Sequence, residues 1–228
     1  MKKNGFTLAE VLITLTIIGV IATMTLPALM TNTQEQQAKT ALKKGINTLT
    51  EAAQLSQAID GIDYASLTSS NTTSGELLTN PSLYALLVNR TQADMQKSGM
   101  NRLRKNGQAD AANYTMFFRD GTALMFNPAQ AMSNVAGANT LEPDGLPHGI
   151  RAIFDTNGIK GPNVVSNCMH ITTGTDTDAT AASTSTPEQL QAVCNSTNRV
   201  IKDQFAVRLR GGFAVPNSAA ARWAFESN

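Results

Sequence analysis

From Val11 to Met30 the chain carries no charged residue, and the residue that heads this run is an acid, Glu10. A helix needs about 20 apolar residues to cross a hydrocarbon layer, so one segment of this chain is built for lipid or for a dry protein bundle. Its polar members are threonines, whose hydroxyls can bond back to the helix's own carbonyls. Lys2 and Lys3 precede the run, which predicts a cytoplasmic N-terminus and export of the remainder. A carboxylate in hydrocarbon costs roughly 2.5–3.5 kcal/mol at mid-membrane and less near the interface, and a plain anchor gains nothing from it. An ordinary secretory signal peptide accounts for the basic start, but its apolar region is shorter and it has no use for Glu10.

The stretch Gly5-Phe6-Thr7-Leu8-Ala9-Glu10, followed by the uncharged run, resembles the cleavage and methylation signature of type IV prepilins and pseudopilins. The resemblance implies cleavage after Gly5 by a prepilin peptidase, N-methylation of the new terminus Phe6, and an assembly role for Glu10. The family's recurrent glycine and proline fall on Gly19 and Pro27. Pro27 removes a helix hydrogen bond and is expected to kink the rod. A positive amine at Phe6 and a neighbour's Glu10 carboxylate are each costly alone in a low-dielectric bundle and much less so paired, so Glu10 is expected to set register in a filament. The implied partners are copies of the chain or other pilins, the peptidase, the inner membrane and an assembly machinery. The implied location is the bacterial inner membrane, then a periplasmic or cell-surface filament.

Beyond the membrane segment, Ala38, Leu42, Ile46, Leu49 and Ala53 recur at spacings of three and four, with Ala41, Gly45 and Ala52 beside them. Most of the charges at Glu35, Lys39, Lys43, Lys44 and Glu51 lie off that stripe. The spacing predicts one helix from Phe6 to about Ala58, on the order of 80 Å long at 1.5 Å per residue. Gly61 ends it and residues 66–75 read as a loop. Asn80-Pro81 is expected to open a second helix bearing Leu83, Leu86, Leu87 and Met95 and closed by Gly99.

Strand signals follow. Thr115–Arg119 and Thr122–Phe126 flank an Asp120-Gly121 turn and read as a hairpin. Ile150–Phe154 is a third strand. Phe205–Arg210 alternates apolar and polar as a half-buried strand, turned by Gly211-Gly212 into Phe213–Pro216. A short C-terminal helix from Ser218 to Glu226 is anchored by Trp223 and Phe225. The fold class is therefore α+β: a long N-terminal helix, membrane-spanning in its first half, packed on a small antiparallel sheet in a pilin-like layout. The expected organisation is a leader at 1–5, a membrane or filament-core segment at 6–30, the extracytoplasmic half of the helix at 31–60, and a globular head at 61–228. The segment Asp155-Thr156-Asn157-Gly158-Ile159-Lys160-Gly161-Pro162-Asn163 and the strand after Asp203 also resemble late turns and strands of pilins, with an excursion at 164–199 between them.

Cys168 and Cys194 are the two cysteines, and export predicts a disulfide. The loop between them is rich in Thr, Ala, Ser and Asp and has too few large apolar residues to fold on its own core. It reads either as an exposed display loop or as a structural staple. Asp155, Asn157, Asn163 and Asp203 are weak calcium candidates beside the plainer reading of a self-bonded Asn-Gly turn. Cys168 with His170 and Cys194 matches no common zinc spacing. A formal net charge of +1 with 15% charged residues gives no broad basic surface. The clusters Arg102-Arg104-Lys105 and Arg208-Arg210 lack interleaved aromatics, so nucleic acid is not an expected partner. His148 and His170 are the only histidines and neither lies near a plausible nucleophile and acid, so no enzyme and no cofactor is expected. The alternatives to a filament subunit are a membrane-anchored extracytoplasmic binding protein or adhesin outside any filament, and a secreted enzyme behind an ordinary signal peptide.

Overall fold

The computed structural model of the chain describes residues 5, 7–67, 82–105, 108–109, 113–128, 149–168, 194 and 199–227. Lys2, Lys3, Phe6, Asn80, Pro81, His148, His170, the loop expected at 66–75 beyond Leu67, and the interior of the Cys168–Cys194 loop lie outside these residues.

Helix α1 spans Leu8–Asp60, 53 residues. The chain divides into two compact units, residues 1–37 and residues 38–228, and the division falls inside α1. In the first unit, Leu8–Leu26 is long and apolar enough to cross a membrane and none of it is buried by the rest of the chain. The threonine hydroxyls bond backward as the sequence predicts: Thr14 to the Val11 carbonyl at 2.9 Å, Thr16 to Leu12 at 2.8 Å, Thr23 to Val20 at 2.8 Å. Each hydroxyl is thereby satisfied within the helix, as a lipid-facing polar group must be.

In the second unit, the expected stripe Ala38, Leu42, Ile46, Leu49 and Ala53 is buried. Full burial of one such leucine contributes about 1.5–3 kcal/mol. Gly61 ends the helix at φ +70°, the left-handed conformation in which glycine meets no Cβ penalty. Helix α2, Leu83–Arg90, is capped by Ser82, whose hydroxyl accepts the Ala85 N–H at 3.2 Å. This cap replaces the one expected at Asn80. The second helix is also shorter than expected. At Thr91 the backbone turns extended, and Met95 and Gly99 lie in strand β1, Ala93–Met100.

The remaining strands are β2 (Arg104–Lys105), β3 (Gln108–Ala109), β4 (Tyr114–Phe118), β5 (Ala123–Phe126), β6 (Ile150–Asp155), β7 (Asn167–Cys168), β8 (Arg199–Val200), β9 (Gln204–Arg210) and β10 (Phe213–Pro216). Among the described residues six of them form one antiparallel sheet in the order β1-β4-β5-β6-β9-β10. One face carries Met116, Leu124, Phe154, Phe205, Val207 and Leu209 into the core shared with α1. The other face holds a second cluster of Leu103, Phe117, Met125, Ile153 and Val165. Strand β9 is therefore covered on both faces, not half-buried as its alternation suggests. Arg208 is 1% exposed, so the Arg208-Arg210 cluster does not form a basic surface. Helix α3, Ala219–Glu226, is capped by Ser218, and Trp223 and Phe225 pack against the main core as expected.

Candidate functional site

Thr7 and Glu10 form a reciprocal cap at the start of α1. Glu10 Oε2 accepts the Thr7 N–H at 2.8 Å and the Thr7 hydroxyl at 2.8 Å, while Thr7 Oγ1 accepts the Glu10 N–H at 3.3 Å. This is the capping box that the spacing Thr-x-x-Glu encodes at a helix N-terminus, a signal present in the sequence beside the acid's assembly reading. The carboxylate uses one oxygen for the box. Oε1 has no partner among the described residues. The acid is at once the first-turn residue that a helix N-terminus favours and an acceptor for a positive group brought to this end of the chain. Gly5, two residues before Thr7, is exposed.

The calcium candidates do come together, as a loop held by its own bonds. Asp155 ends β6 beside Gln204 of β9. Its Oδ1 accepts the Asn157 N–H at 3.0 Å and the Gly158 N–H at 2.7 Å, and its Oδ2 accepts Gln204 Nε2 at 2.9 Å. Gly158, at φ +64°, approaches the Gly121 carbonyl too closely for any side chain. Asp203 Oδ2 accepts the Asn163 N–H at 2.7 Å and its Oδ1 accepts the Val164 N–H at 2.9 Å. With its amide nitrogen turned inward, Asn163 donates to Asp155 Oδ2 at 3.3 Å and to the Gly158 carbonyl at 3.1 Å. Both carboxylates thus act as clamps between the loop and β9. Burial pushes the Asp155 carboxyl up to about 7, against the pull of its donors at Gln204 and the loop backbone, with the Asp203 charge adding to the rise.

Cys168 and Cys194 form the expected disulfide, with 5.5 Å between their Cα atoms and 26 residues of separation. Its base is docked, not free. Cys168 is buried against Ala219 and Ala220 of α3. Its strand partner in β8 is Arg199. Arg199 stacks over one face of Trp223, with Cζ 4.3 Å from the ring centroid, and Lys39 of α1 sits 3.8 Å from the same ring. Lys39 is therefore buried, against the expectation that it lies off the packed stripe. Lys43, one turn on, donates to the Ser227 carbonyl at 2.9 Å. Periodicity alone does not reveal this cluster, because a cation paired with an aromatic ring is invisible to an apolar count.

Against known families, residues 1–26 match the one described as the prokaryotic N-terminal methylation motif. No curated protein and no solved structure shows a significant match to the chain.

Proposed function

Starting from a chain whose first 26 residues are the type IV pilin and pseudopilin signature, we propose that the precursor is cut after Gly5, methylated at Phe6 and assembled as a structural subunit of a type IV pilus-like filament. One observation carries the reading: the methylation motif heads a long, unburied apolar helix whose one charge between Leu8 and Leu26 is Glu10. On this reading residues 6–30 hold the subunit in the inner membrane and later in the filament core. Pro27 bends that rod, and the head remains outside the membrane. Glu10 Oε1 takes the terminal amine of a neighbouring copy or of another pilin. The capping box supports this role because it holds the carboxylate in place and leaves that oxygen open. The prepilin peptidase and the filament-assembly machinery are the remaining partners, and the role is structural, not catalytic.

Two measurements test it. The mass of the N-terminal peptide from native cells is expected to be that of methylated Phe6. A terminus between Ala22 and Ala28 would instead mean signal-peptidase cleavage, and an intact Met1 a simple anchor. Glu10→Ala is expected to leave membrane insertion intact and to abolish entry into sheared filaments. Normal assembly of that variant would remove the role assigned to Glu10.

A further inference from the structure

Two surface features of residues 38–228 are left unmatched within the chain. The first is a cavity of about 340 Å³ beside the point where α1 meets the sheet. Its apolar lining is Leu49, Phe118 and Phe154, and its cations are Lys44, Arg90 and Arg119. Lys44 is bonded to Asp120 at 2.8 Å and Arg90 is paired with Asp60. Arg119 is exposed at the β4–β5 turn and has no anionic partner among the described residues.

The second is a stripe on α1 at Glu51, Leu55 and Ile59, spaced by four so that they share one helix face. Leu55 is 51% exposed and Ile59 is 65% exposed, although this part of the helix lies beyond the membrane-length segment. Glu51 is exposed and has no cationic partner among the described residues. It lies seven residues from Lys44, about 10.5 Å along the helix, too far to reach the cation that lines its own cavity.

We propose that these two features are the halves of one contact between copies: Glu51 of one subunit pairs with Arg119 of the next, and Leu55 seats against the half-buried Phe118 at the mouth of the cavity. The occupant follows from complementarity. The cavity offers one uncommitted cation above an apolar floor, and the stripe offers one uncommitted anion beside a large exposed apolar side chain. Because the two patches differ, the contact is heterologous, and repetition builds an open array instead of a closed dimer. The inference rests on the proposed filament reading, since it takes the partner to be a second copy.

Arg119→Glu and Glu51→Arg, made singly in the full chain in its native cells, are expected to lower sheared-filament yield by about tenfold, and the double exchange to restore it, as coupled charge pairs do. Both positions are exposed, so the fold is retained. As a second readout, filaments of Arg119→Lys treated with a zero-length carbodiimide are expected to yield a dimer whose peptides join Glu51 to position 119. Wild-type yield from Arg119→Glu, a double exchange no better than the singles, or the absence of that linked peptide overturns the contact while leaving the filament reading standing. Failure of the wild-type chain to form filaments overturns both.

Discussion

Gly45 sits in the middle of α1, where glycine costs roughly 0.5–1 kcal/mol relative to alanine. Its neighbour explains it: a Cβ at that position would fall inside the Phe154 ring. The helix crosses the sheet there at a distance that only a hydrogen side chain permits. Gly45→Ala is expected to lower stability by about 1–3 kcal/mol, overpacking outweighing the helix gain, in urea unfolding of the detergent-solubilised chain. Asp155 is the second informative residue. Its folded value near 7 lies above that of a carboxylate in the unfolded chain, so between about 4 and 7 the folded chain holds a proton that the unfolded chain releases. Its contribution is thus fully present at low pH and is lost as pH rises through 7, by up to about 1.4 kcal/mol per pH unit in that window. The melting temperature is expected to be higher at pH 5 than at pH 8, with the difference diminished in Asp155→Asn. In that variant the new amide nitrogen faces Gln204 Nε2, which stays bonded to the Arg104 carbonyl at 2.7 Å, so an overall loss of stability accompanies the flattened pH profile.

Elements were legible where one physical signal dominated. The α1 stripe, the hairpin at Asp120-Gly121 and the β9–β10 turn follow from apolar spacing and turn chemistry, and the structure places them within a residue or two of expectation. Strand β1 was not legible. Its sequence Ala-Asp-Met-Gln-Lys-Ser-Gly-Met has little β-propensity, and it becomes a strand by pairing with β4 across an irregular register between Asp94 and Gly99. Nor was the burial of β9, because alternation reports two unlike faces without saying that the polar one is also covered. At the candidate site, Glu10 and the cysteine pair were readable from residue type and context. The Thr7 cap is written in the Thr-x-x-Glu spacing, whereas the Lys39–Trp223–Arg199 stack depends on side-chain geometry that no spacing rule supplies.

Across the molecule, the disulfide, β8, α3 and α1 are joined through a single tryptophan, the only one in the chain. Buried cation–ring contacts contribute up to about 2 kcal/mol each, and closing a loop of this length roughly 3 kcal/mol. Reducing the Cys168–Cys194 bond is therefore expected to lower stability by about 3 kcal/mol and to make Trp223 more accessible to acrylamide quenching. Cys194→Ser should reproduce both effects. Unchanged quenching would mean that the stack stands without the disulfide. A different consequence follows from the cap at Thr7. Since Thr7 already holds Glu10 in one rotamer through Oε2, an arriving subunit under the proposed reading meets an acceptor whose orientation was settled before the encounter. The entropy of fixing that side chain is spent once, inside the membrane, and docking becomes a choice of position along the helix instead of a search over side-chain conformations.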